Sequence, residues 1–462
     1  MGWDFTLIAS ELRGAPGGRP LYLRLAERLA DSLVPGGDTL PPARTFAAGT
    51  GINRATVTAA YRELARRGLV VVRPGRPGRR PDAGRRSEDG LDSPPPSALD
   101  LARYVPDRTL LPEGKVLRWL GFGGGEGESV AQYGDAHGYA PLREWVCDRL
   151  GTWGIRREVS DVLVTSGVQH ALDLVLRALA RPGDTVLVED PTYPGLPPLL
   201  AVHQLRTVGV PMHHGGLRPD EVAERVRQTR PRFAILTPTL QNPAGTVLDE
   251  PGRDKVLATL HTAGVTVIEE LFDPELVVAG TVPRSLAASD PSVIAVSSFS
   301  KVLFPGLRVG WMTGPREAIA RVAAVKRATD LSGSPFLEAT ALSLCRRGHL
   351  EAQIERLRVA AGERLAVVLD ALALAPAGTR WSIPRGGFSL LVELPAAVSS
   401  RAVAARAAAL GVWVLPGPAM SVSGRDDVLR LAYAAIGGEP LRTGVARVVE
   451  ALAAPTSTLA MV

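Results

Sequence analysis

Cysteine is nearly absent. The 462 residues hold two, Cys147 and Cys345, too few for a disulfide framework or a Cys-rich zinc site. The seven histidines are scattered, and neither HExxH nor CxxC spacing occurs, so no metal centre is expected. Long apolar runs are missing as well. Stretches such as 174–180 stop well short of the ~20 residues a membrane span needs. The opening MGWDFTLIASELRG lacks the basic and apolar blocks of a secretory signal. These absences lead to the expectation of a reduced, cytoplasmic protein without a membrane partner. Lysine is scarce too: of 53 basic residues only Lys115, Lys255, Lys301 and Lys326 are lysines. Any lysine in a chemical setting therefore stands out.

A hydrophobic share of 45% and a charged share of 22% describe a folding chain, and its length favours more than one domain. Charge is uneven. Residues 13–86 carry 15 arginines against five acidic residues, a net +10, whereas the 364 residues after 98 carry a net +1. A basic module ahead of a nearly neutral body points to nucleic acid as the module's partner. Residues 79–98, rich in Pro, Gly, Arg and Ser, read as a linker that cannot bury enough surface to order itself. Upstream lies a block of about 60 residues (10–78). Downstream (99–462), helical patterns alternate with short apolar strands at 162–165, 185–189, 233–237, 265–269 and 293–297. That alternation predicts an α/β body, a mostly parallel sheet covered by helices on both faces.

In the N-terminal block, Leu25, Leu29 and Leu33 form one apolar helical stripe opened by Pro20. A short helix is expected from Ala43 and a third from Arg54, with Asn53 as its N-cap and Val57, Ala60, Tyr61 and Leu64 facing the core. Residues 69–72 with Gly75 read as a hairpin. Three helices and a hairpin describe a winged helix-turn-helix. The motifs PLY…L (20–25), LPPAR (40–44), GINRATVTAAYREL (51–64) and RRGL (66–69) resemble the GntR family of bacterial regulators. The resemblance implies that Arg44 lies near DNA phosphates. It places Asn53, Arg54, Thr56 and Thr58 in the major groove of double-stranded promoter DNA, with Arg76 on the wing. Pro42 stands where the family has serine, and the wing reads Gly75-Arg76-Pro77-Gly78 instead of G-x-G-T.

In the body, Ser298-Phe299-Ser300-Lys301 follows an apolar strand, with Arg308 seven residues on. A lysine among hydroxyls suits an aldehyde cofactor carrying a phosphate: the amine forms a Schiff base, while Ser298, Ser300 and Arg308 offer phosphate donors. Ser166-Gly167-Val168-Gln169 joins a strand to an apolar helix, whose first N–H groups make an anion site. Tyr193 follows another strand and is placed to stack on a pyridine ring. Asn242 supplies an amide for a phenolic oxygen.

Together these motifs resemble the fold-type-I pyridoxal-phosphate aminotransferases over residues 99–452, with a smaller α+β C-terminal domain. With the GntR-like head, the whole chain resembles a MocR-type regulator. The resemblance implies a homodimer joined through the body, and an amine or amino-acid effector that displaces Lys301. It also implies that Arg430 grips an amino acid's carboxylate. Three places depart from the pattern, one of them Gly386-Gly387-Phe388-Ser389, where an aromatic residue followed by histidine is expected. Glu270 aligns with the aspartate that faces the pyridine nitrogen, one methylene longer, and Phe272 aligns with a tyrosine that donates to the phenolic oxygen. These exchanges favour a sensor with little or no turnover. The alternatives are a working aminotransferase with a vestigial head, and a regulator whose body has lost the cofactor and binds another ligand.

Overall fold

Proline at position 20 has no N–H to lose and leaves a carbonyl that accepts from Leu23 N (3.0 Å) and Arg24 N (3.3 Å), which starts the first helix, α1 (Leu21–Ser32). In the computed structural model, residues 20–32, 40–66, 95, 98–111, 130–272 and 274–453 are described. The chain divides into two compact units after Pro96.

In the first unit, α2 (Ala43–Thr50) ends at Gly51. That residue's φ of 71° suits glycine, and its N–H donates to Ala47 O at 2.9 Å. The chain then turns into α3 (Arg54–Arg66), where the Asn53 side chain accepts from Ala55 N at 2.8 Å as the expected cap. Val57, Ala60, Tyr61 and Leu64 are buried as the spacing predicts, against Leu25 and Leu29. Leu40 and Phe46 complete this core; Phe46 meets Tyr61 edge-on at 6.2 Å, and the Tyr61 hydroxyl donates to Pro41 O at 2.9 Å. Fully burying each such leucine or phenylalanine contributes about 1.5–3 kcal/mol. Leu33, the expected hairpin and Arg76 lie outside the described residues.

The second unit is built on a seven-stranded sheet. Its strands are β2 (Val162–Thr165), β3 (Thr185–Asp190), β4 (Arg206–Pro211), β5 (Phe233–Leu236), β6 (Thr266–Glu270), β7 (Ile294–Ser298) and β8 (Gly310–Thr313), in the order β2-β8-β7-β6-β5-β3-β4. Five of these were expected, each end within a residue or so; β4 and β8 were not. The sheet is mostly parallel, as expected; strand β8 is the exception, pairing antiparallel with both β2 and β7. The short connection from Ser298 to Gly310 holds only a 3-10 turn, and a parallel return needs a crossover of a dozen or more residues. Helices cover both faces. Leu172 and Val175 of the helix Val168–Leu179 join Val296 and Met312 in the core on one side. Val146, Val256 and Leu260 pack on the other.

A smaller layer follows. Its antiparallel sheet has the order β12-β13-β10-β9, where β9 is Arg380–Trp381, β10 Leu390–Glu393, β12 Leu415–Pro416 and β13 Val428–Leu431. The long helix His349–Leu372 and the helix Gly438–Ala453 pack with this sheet around a core of their own. The first described strand of the unit, β1 (Leu99–Asp100), pairs in parallel with β11 (Val412–Trp413). Among the described residues no helix is long and apolar enough to cross a membrane.

Candidate functional site

Loops leaving the same ends of β2, β3, β6 and β7 meet in one cavity, which Gln169, Tyr193, Glu270, Phe272, Lys301 and Arg308 line. Ligands bind at this edge of open α/β sheets because loops converge there around strand ends.

At one end of the cavity the sequence Thr165-Ser166-Gly167 turns off β2 into the helix Val168–Leu179. Gly167 has a φ of 106° and no side chain caps the helix, so its first-turn N–H groups lack side-chain partners. A Cβ on Gly167 would come within 3.3 Å of the Arg308 guanidinium. Arg308 donates to the Ser166 carbonyl at 2.5 Å. Ser298 donates its hydroxyl to that of Ser300 at 2.8 Å and accepts from Ser300 N at 3.0 Å. Gln169 donates to Gly195 O at 3.0 Å, and its own side-chain oxygen is buried without a donor. An exposed arginine, two hydroxyls, an uncapped helix start and a glycine where a side chain would intrude make a donor set that fits a phosphate.

Lys301 stands beyond this cradle, just after β7. Its amine donates to the Tyr104 carbonyl and lies 5.2 Å from the Tyr104 ring centre. Desolvation, then Arg430, brings its pKa down to about 8, with Glu270 opposing. Burial raises the Glu270 carboxyl above the usual range, and Lys301 pulls it back. Glu270 also accepts from the Thr237 hydroxyl at 3.4 Å. Phe272 is buried and meets Tyr104 at 6.1 Å and Phe388 at 5.8 Å. Burial likewise raises the Tyr193 phenol.

Two expected residues sit to one side. Arg430 is not at the surface but in β13, only 4% exposed. It donates to Asn242 Oδ1 at 3.0 Å and to Ala102 O at 2.5 Å. Desolvation lowers its pKa to about 10, which leaves it charged at neutral pH. Asn242 is buried, and its side-chain oxygen is the one that accepts from Arg430.

Sequence reasoning missed Tyr104 and Glu189. Tyr104 lies in an irregular stretch after β1 with no motif around it. Glu189 carried a signal, an acid ending the apolar run TVLVED. It is 1% exposed, accepts from Thr237 N (3.1 Å) and Gln241 Nε2 (3.2 Å), and burial lifts its pKa to about 7. In the head, Arg44, Asn53 and Arg54 are exposed, while Thr56 and Thr58 are half-buried. The Thr58 hydroxyl turns onto the Arg54 carbonyl at 2.9 Å.

Comparison with known proteins agrees with this layout. The family described as aminotransferase class I and II matches residues 115–448, and that of the bacterial regulatory proteins, gntR family, matches residues 19–78. The chain is 33% identical to a 2-aminoadipate transaminase of Thermus thermophilus, over 77% of this chain and 90% of that protein. It is 29% identical to the HTH-type transcriptional regulator TauR of Rhodobacter capsulatus, over 95% of this chain and 98% of that one. The crystal structure of LysN, the alpha-aminoadipate aminotransferase of Thermus thermophilus complexed with N-(5'-phosphopyridoxyl)-L-leucine, superposes with a TM-score of 0.71. It has 32% identity and covers 77% of this chain and 92% of that one.

Proposed function

Since the chain belongs to the aminotransferase class I and II family and carries a GntR-family helix-turn-helix ahead of it, the organisation of MocR-type regulators, we propose that it is a DNA-binding transcriptional regulator. Its body takes pyridoxal phosphate, or that cofactor's adduct with an amine or amino acid, as effector. Residues 10–78 are assigned to the head, 79–98 to the linker, and 99–462 to an effector body through which the chain forms a homodimer. One observation supports the cofactor most: an amine of lowered proton affinity, Lys301, shares a cavity with the phosphate-fitting cradle of Arg308, Ser298 and the uncapped helix.

When bound, the cofactor supplies an aldehyde that condenses with a primary amine and a ring that withdraws electrons from it. Lys301 offers the nucleophilic amine, and Arg308, Ser298, Ser300 and the N–H groups of Val168 and Gln169 hold the phosphate. Glu270 would keep a proton on the ring nitrogen, and Tyr193 would stack on the ring. Phe272 provides no hydroxyl for the phenolic oxygen, which forgoes on the order of 1 kcal/mol. In the head, Arg54 and Asn53 are assigned to base edges and Arg44 to phosphate. The likeness to a 2-aminoadipate transaminase favours a second reading, catalytic turnover, against which stand Glu270 and Phe272.

The test is a titration of the full-length chain onto promoter DNA with and without pyridoxal phosphate. The cofactor should shift the binding midpoint of the wild type and leave Lys301→Ala unmoved. Arg54→Ala should relax sequence preference, whereas Arg44→Ala should weaken all sequences alike. Wild-type protein that stays colourless with excess cofactor, and whose DNA binding ignores it, overturns the reading.

A further inference from the structure

One aromatic ring touches both groups that an amino acid would need. The Tyr104 ring centre lies 5.2 Å from the Lys301 amine and 5.5 Å from the Arg430 guanidinium carbon. An α-amino acid joined through its nitrogen where Lys301 reacts has its carboxylate only two bonds further on. The ring, in contact with both cations, borders the path such a carboxylate would take to Arg430. The arginine is also engaged at its tips, by Asn242 Oδ1 and the Ala102 carbonyl. Its Nε is buried and has no acceptor, a donor left unsatisfied in a residue 4% exposed.

The ring is not a loose rotamer. Phe272 and Phe388 flank it at 6.1 Å and 5.5 Å. The backbone before it is fixed where Ala432 N donates to Leu101 O at 2.8 Å. The backbone after it is fixed where Asp107 N donates to Ala434 O at 2.7 Å and Arg364 pairs with the Asp107 carboxylate at 2.8 Å.

We propose that Tyr104 sets the ligand class of this site: its ring holds the place an α-carboxylate would take, so the site accepts primary amines without an α-carboxylate and excludes α-amino acids. This rests on the cofactor reading above and narrows the effector from amine or amino acid to amine. The physical basis is that a site discriminates by what it cannot accommodate as well as by what it binds.

The experiment compares two stable conjugates that differ only by the carboxylate, N-(5'-phosphopyridoxyl)-L-leucine and N-(5'-phosphopyridoxyl)-3-methylbutylamine. Each is titrated calorimetrically into the full-length chain freed of bound cofactor. Wild type should bind the amine conjugate at least about tenfold more tightly. Tyr104→Phe should keep that preference, because the ring remains. Tyr104→Ala should erase or invert it, and Arg430→Gln added to Tyr104→Ala should remove the gain. Wild type that binds both conjugates within about twofold of each other overturns the proposal and needs no variant to do so. So does a Tyr104→Ala protein that melts cooperatively yet keeps the wild-type preference; Tyr104→Leu replaces it if the alanine variant does not fold. Failure of both conjugates to bind wild type is a different result, and overturns the cofactor reading itself.

Discussion

At the phosphate end of the cavity every polar group comes from a loop leaving the large sheet, and most sit within a few residues of each other in sequence. Beyond Lys301, Tyr104 and Arg430 come from the stretch after β1 and from β13 of the smaller layer, and Phe388 from the turn before β10. The first end is a local motif that folds with its own strand ends. The second is assembled only when two layers pack together. A local motif keeps its chemistry while its surroundings diverge. The packed end is where a single side chain can alter what the site admits.

The largest test of this contrast is Lys301→Ala. Removing the amine should abolish the visible absorbance that forms with pyridoxal phosphate, leaving only reversible binding by the cradle. Melting at pH 7 should be unchanged or higher. The folded pKa of about 8 lies below the amine's ordinary value of 10.5, so the fold disfavours the charged amine. Wild-type stability should then rise with pH between about 8 and 10.5, and a slope that persists in Lys301→Ala would assign it to another group.

Arg308→Ala comes next. Charge-assisted hydrogen bonds contribute roughly 1.5–3 kcal/mol each, so pyridoxal phosphate should bind about ten- to a hundredfold more weakly. Pyridoxal without the phosphate should lose little. Equal losses for both would show that Arg308 does not serve the phosphate.

A pH profile of cofactor capture follows in size. Only the neutral amine attacks, and below its pKa of about 8 that fraction falls about tenfold for each pH unit. The rate of band formation should climb through pH 8 and level above it. A flat profile from pH 6 to 9 would contradict the buried, lowered amine.

The smallest effect is expected from Glu270→Asp, which restores the shorter carboxylate at the cost of the contact with Thr237. Affinity for pyridoxal phosphate should improve by a few-fold, on the order of 1 kcal/mol. A clear loss would mean that the carboxylate is already placed correctly by the longer side chain.

The sequence allowed the head's three helices and the phosphate end to be read because their signals are local: Gly51 between two helical patterns, Asn53 before α3, and hydroxyls around Lys301. It did not disclose β8, whose direction depends on a connection too short for a crossover. Neither did it place Arg430 on Asn242, since those residues meet only through the packing of β13 against the loop after β5. Tyr104 had no pattern to announce it, as its partners come from four other segments of the chain.

The pairing of β1 with β11 has a mechanical consequence. The backbone just ahead of the site is paired, at Leu99 and Asp100, with Val412 and Trp413 of the smaller layer. Four residues later it delivers Tyr104 to the site. The β1–β11 pair and the Tyr104 ring beside Lys301 are thus parts of one continuous stretch of backbone. A ligand large enough to dislodge the ring must also strain the short strand pair that anchors it.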